Sequence, residues 1–166
     1  MDIDVFPPDK LTWQGRPFRC VLGKGGVRAE KREGDGATPI GRWRLRALLY
    51  RPDRLAPPKT GLIARALAPD DGWCDDPADP NYNRQVKTPF AASHERLWRD
   101  DHVYDVIVVL GHNDAPPVAG MGSAIFMHVA RPDGAPTEGC VTLALEDLLT
   151  ILETCDAETW LTVHPG

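Results

Sequence analysis

Apolar residues recur along this chain with two periods. Tyr104-Asp105-Val106-Ile107-Val108-Val109-Leu110 is an almost unbroken β-branched run, the pattern of a buried central strand. Ala124 to Val129 predicts a second buried strand, and Trp43 to Leu49 alternates well enough for another. Leu62 to Leu67 and Trp160 to Val163 add two short candidates. Leu11 to Leu22 predicts a hairpin with Gln14-Gly15 near its turn. The period changes once: Leu145, Leu148, Leu149 and Leu152 follow i, i+3, i+4, i+7 spacing, the stripe of a short amphipathic helix. Polar, Gly-rich Lys24 to Gly36 predicts a loop, and residues 51–61, with three prolines, are irregular. Asp70 to Thr88 is rich in Asp, Pro and Asn and is expected to form a long loop. A loop of that length inside a compact domain is often functional. The expected class is mainly β, with one or two short helices.

Composition narrows this further. The chain's 16 prolines and 15 glycines are spread throughout, as in folds of many short strands. A length of 166 residues suits a single domain covering 1–166. Apolar residues make up 42% and charged residues 26%, which suits a globular protein. The net charge of -5, with no basic block beyond the mixed 24–32 segment, argues against a nucleic-acid partner. The start of the chain lacks the basic and apolar regions of a secretory signal, and no run approaches the length of a transmembrane segment. As written the protein is expected in the cytoplasm, or in the periplasm if a leader is removed or another export route is used. Cys20, Cys74, Cys140 and Cys155 form no Cys-x-x-Cys pair. His94, His102, His112, His128 and His164 form no His-x-x-x-His. No metal site is therefore expected.

The chemistry concentrates late in the chain. Strand alternation puts His128 on one face with Phe126, while Ile125, Met127 and Val129 point the other way. Pro132, Asp133-Gly134 and Pro136 allow the chain to reverse, which can bring Cys140 back beside His128. A thiol becomes a strong nucleophile as a thiolate, and an imidazole can take its proton. An acyl intermediate also needs backbone N–H donors aimed at the developing oxyanion, and Gly139 allows the backbone close to a substrate. Gly111-His112-Asn113-Asp114 follows the central strand, so His112 and Asn113 are candidates either for a binding pocket or for a plain Asx-type turn. In the 70–88 stretch, Arg84 is the side chain best suited to a terminal carboxylate, in a lid or contact segment or else a solvated loop.

Thr137-Glu138-Gly139-Cys140-Val141 resembles the Ser/Thr-x-Gly-Cys motif of the L,D-transpeptidase (YkuD-like) family. Ala37-Thr38-Pro39-Ile40-Gly41-Arg42-Trp43 resembles that family's Thr-Pro-x-Gly-x-aromatic segment, about 100 residues upstream. The resemblance spans roughly residues 12–163 and implies a β-sandwich-like L,D-transpeptidase catalytic domain. It casts Cys140 as nucleophile, His128 as general base, and Gly139 with the Cys140 N–H as the oxyanion position. Thr137 would shape or hydrogen-bond the pocket, and the Thr38 segment is expected to be chiefly structural. The sequence departs from the family where Glu138 replaces a frequent His and Thr142 a frequent Arg. Both positions lie near substrate, which puts specificity rather than mechanism in question. The implied partner is a peptidoglycan stem peptide or muropeptide. The implied reaction cleaves the bond before the terminal D-Ala through a Cys140 thioester and passes the acyl group to an amine. Hydrolysis of recycled muropeptides by an L,D-carboxypeptidase is the alternative; a non-catalytic wall-binding module is an alternative of another class. No metal or organic cofactor is implied.

Overall fold

Fourteen strands and one helix follow one another in the computed structural model, which describes residues Met1–Gly166. They are β1 (Asp2–Phe6), β2 (Lys10–Trp13), β3 (Arg16–Arg19), β4 (Val27–Arg28), β5 (Thr38–Pro39), β6 (Gly41–Tyr50) and β7 (Ala64–Ala66), then β8 (Asp71–Cys74), β9 (Gln85–Lys87), β10 (His94–Arg96), β11 (Val106–Leu110), β12 (Phe126–Val129), β13 (Val141–Leu143), α1 (Leu145–Leu152) and β14 (Trp160–Val163). The expected hairpin is β2–β3. Gln14 and Gly15 both take positive φ, 51° and 75°, as a type I′ turn requires.

The main sheet runs β13-β12-β11-β6-β14-β1-β2-β3, with β7 beside β6. The ten-residue β6 is its spine, antiparallel to both β11 and β14. β1 pairs in parallel with β14, so the two ends of the chain share the sheet. Side-chain alternation divides the interior in two. Ile125, Met127, Val129, Val106, Val108 and Leu110 join Leu148, Ile151 and Leu152 of α1 in the larger core. Phe126, Ile107 and Leu49 face the other way, against Trp73, Leu97, Tyr104 and Cys140. The nucleophile candidate thus belongs to the smaller core, on the face that Phe126 and His128 share. This mostly β, layered arrangement with a single short helix is the expected class.

Two expectations change. Residues 70–88 are not a loop: β8 and β9 lie there, and with β10 they form a three-stranded sheet in the order β10-β8-β9. The strand was hidden because its inward polar group is neutralised locally. Buried Asp71 accepts bonds from the Ala68 N–H (2.7 Å) and the Gln85 amide (3.1 Å) and pairs with Lys87 at 2.9 Å. Leu62 to Leu67 shrinks to the exposed edge strand β7. No helix is long and apolar enough to cross a membrane.

Candidate active site

β12 holds His128 rigidly, and the 137–140 turn carries Cys140 back to it, so both line one cleft of about 440 Å³. The imidazole is buried, and its Nδ1 faces the carbonyls of Val103 (3.1 Å) and Val129 (3.0 Å). Two acceptors there require the proton on Nδ1, which leaves Nε2 with the lone pair. Burial holds the His128 pKa down at about 4, against the weaker pull of those carbonyls. The Tyr104 ring packs edge-on against it, with centroids 4.9 Å apart.

The thiol is equally enclosed. Cys140 Sγ accepts the Phe126 N–H (3.4 Å) and donates to the Ala124 carbonyl (3.2 Å). Burial, followed by the nearby charge of Glu95, pushes its pKa up to about 12. Thiol and imidazole are therefore both neutral at rest, and the thiol proton sits on Ala124 rather than on His128.

The turn itself is stapled by Thr137. Its hydroxyl accepts the Gly139 N–H (3.0 Å) and donates to the Cys140 carbonyl (2.8 Å). The Gly139 N–H is thereby engaged, whereas the Cys140 N–H has no intramolecular partner. The Thr38 segment braces this turn from behind. Fully buried Thr38 accepts the Gly23 N–H at 2.9 Å, and a Cβ on Gly23 would lie 3.0 Å from the Gly139 Cα. Exposed Glu138 lines the cleft and pairs with Lys24 at 2.8 Å.

The other sequence candidates lie elsewhere. Arg84 is exposed and borders a second hollow of about 320 Å³, not the Cys140 cleft. Neither His112 nor Asn113 lines that cleft. Asn113 adopts φ 51° and closes its own loop, bonding the Val118 N–H and the carbonyls of Val118 and Gly122; this is the Asx-turn alternative. His112 is buried against Trp43, its Nδ1 has no partner, and burial holds its pKa down at about 4.

Sequence reasoning missed Tyr104 and Glu95, and placed Asn83 only within the Asn81 to Arg84 lid or contact segment. Buried Asn83 donates to the carbonyls of His112 (3.1 Å) and Asn113 (2.8 Å) and accepts from Trp73 Nε1 and the Ala124 N–H, both at 3.0 Å. It thereby positions the carbonyl that holds the thiol. Tyr104 donates its hydroxyl proton to Glu95 in the same cleft. A non-Gly residue in an Asx-rich segment is a weak signal for Asn83; nothing local marks Glu95. No three His, Cys, Asp or Glu side chains gather as a metal-binding group.

The mostly β fold thus presents one cysteine and one histidine to a single cavity. The chain belongs to the L,D-transpeptidase catalytic-domain (YkuD) family, whose model matches residues 3–163. Among solved structures it is similar to the helical cell shape determining protein Pgp2 of Campylobacter jejuni. The identity is 14%, covering 98% of this chain and 46% of that chain, with a TM-score of 0.41. No curated protein matches it.

Proposed function

We propose that the protein is an acyltransferase that cleaves the bond between the third residue and the terminal D-Ala of a peptidoglycan stem tetrapeptide and passes the acyl group to an amine. The observation that carries this is the tautomer of His128: its Nδ1 is tied to two carbonyls, so Nε2 is the free base in the cleft of Cys140. Family membership supplies the substrate class.

In this reading substrate binding turns the thiol from Ala124 toward His128. Sγ attacks the carbonyl, a C–S bond forms, and the proton passes to Nε2. Because both groups are neutral at rest, proton transfer accompanies attack. The oxyanion meets the Cys140 N–H, the donor left free by the turn. Collapse expels the D-Ala amine, which takes the proton from His128 and leaves a Cys140 thioester. An amine resolves it in transpeptidation, water in carboxypeptidation. Exposed Glu138 is at the cleft rim, where it can contact the stem peptide, and Thr137 keeps the nucleophile turn in shape.

Mass spectrometry of products from disaccharide-tetrapeptide, with and without an added D-amino acid, tests the reading beside a Cys140→Ala control. Loss or exchange of one alanine with the wild-type protein alone is expected. Exchange means transfer, and loss without exchange means hydrolysis. Identical products from both proteins would leave the wall-binding alternative.

A further inference from the structure

The second half of such a reaction raises a proton problem that His128 cannot solve alone. An amine arrives near neutral pH as an ammonium and must lose two protons to become an amide nitrogen. After expelling the first amine, His128 is neutral and can accept one. A second acceptor has to stand in the same cleft.

Glu95 occupies that place. It lies on β10, opposite Trp73 of β8, and its side chain lines the cleft with Cys140 and His128. It forms no ion pair; its partner is the neutral hydroxyl of Tyr104. The Tyr104 ring in turn packs on His128 at 4.9 Å and on Phe126 at 6.0 Å, and the Phe126 N–H binds Sγ. One ring therefore fixes the carboxylate relative to both nucleophile and base. The cations of the cleft wall are otherwise occupied: Lys31 pairs with Asp35, and Arg99 with Asp101. Only exposed Arg131 lines the cleft without an ion pair.

We propose that Glu95 accepts the first proton of the incoming ammonium, with Tyr104 as the residue that positions its carboxylate. This rests on the acyl-enzyme reading above. The carboxylate takes one proton from R–NH3+, giving Glu95–COOH and R–NH2. The freed lone pair attacks the thioester, the N–C bond forms and the C–S bond breaks. The second proton passes through His128 to the Cys140 sulfur, and Glu95 returns its proton to solvent. Water needs no prior deprotonation, so Glu95 favours transfer over hydrolysis. Burial raises the Glu95 pKa, with the charges of Asp75 and Glu33 in the same sense, while the Tyr104 hydroxyl and Arg99 oppose them. A raised value suits a group that must accept a proton and release it again.

The test compares two acceptors on the acyl-enzyme formed from tetrapeptide: a D-amino acid, mostly ammonium at neutral pH, and hydroxylamine, which is uncharged there. In Glu95→Gln, transfer to the D-amino acid is expected to fall by ~10²-fold, with transfer to hydroxylamine changing far less and Glu95→Asp recovering part of the loss. Equal slowing of both acceptors, or of neither, overturns the assignment. If the Gln variant does not fold, the wild-type pH profile decides. The ratio of D-amino acid to hydroxylamine transfer should drop as pH falls through the raised Glu95 titration; a ratio that follows only the acceptor's own ionisation refutes the role. Absence of any acyl-enzyme from the wild type would instead sink the underlying reading of the function.

Discussion

At Gly139 the backbone holds φ 135°, and a Cβ would meet the Ala37 carbonyl oxygen at 2.7 Å. Both the dihedral and the contact oppose a side chain, and the opposing atom is backbone that cannot rotate away. Gly139→Ala should therefore destabilise the fold by ~2 kcal/mol or more, seen as a lower urea midpoint with unchanged slope. An unchanged midpoint would show that the turn relaxes freely. Thr137 makes a subtler case, because its two hydrogen bonds cross the same turn without packing anything deep. Thr137→Ser keeps both bonds and should stay close to wild-type turnover. Thr137→Val removes both and should lower turnover by ~10-fold or more, while the melting temperature moves little. Equal turnover of the two variants would count against the staple.

Among elements, the 112–124 region shows how one side chain can join segments far apart in sequence. Asn83 spans β8, the loop after β11 and Ala124, two residues before β12, using both its amide donors and its acceptor. Asn83→Ala strands the Trp73 and Ala124 N–H groups in a buried setting. A loss of ~3 kcal/mol is expected, with activity falling further than stability because Ala124 holds the thiol. Chemical denaturation beside the acyl-enzyme assay separates the two; proportionate losses would make Asn83 merely structural. This network also marks where the sequence ceased to be legible. The strands around His128 and α1 followed from apolar period, since each buries a clean face, and the hairpin from the Gln14-Gly15 turn. The Thr137–Cys140 turn was legible through its resemblance to the family's Ser/Thr-x-Gly-Cys motif. Strands β8 and β9 were not, because Asp71 satisfies itself with Lys87 and Gln85 and leaves a polar pattern. The distribution of pocket residues followed the same divide. His112 and Asn113 sit at a strand end where binding groups often lie, yet the fold turns them toward Trp43 and their own loop. Glu95 came into the cleft only through the pairing of β10 with β8, a contact no local pattern encodes.

For the molecule as a whole, two buried histidines, His128 in the cleft and His112 outside it, make stability depend on pH. His112 and His128 are held at about 4, from 6.5, chiefly by burial. The unfolded chain binds their protons as pH falls below 6.5, while the folded chain resists until about 4. Between those values the unfolded state holds more protons, so stability falls with falling pH. Roughly 2 kcal/mol for each histidine is at stake between pH 7 and pH 5. The aspartates act in a lower window. Asp2 is held at about 2 chiefly by Arg42, and Asp35 at about 2 by Lys31 and the N–H groups of Ala37 and Arg32, against its own burial. Their contribution is present above 3.8 and is lost as pH drops toward 2. Asp2 joins β1 to both β6 and β14 through Arg42 and Thr162, so this second loss releases the seam where the chain ends meet. Urea midpoints at pH 7, 5, 4 and 2 should decline in two stages, above and below about pH 4, and His112→Gln should flatten chiefly the first. Equal midpoints at pH 7 and 5 would mean that the imidazoles reach solvent, and the neutral pairing of thiol and base at the cleft would lose its physical basis.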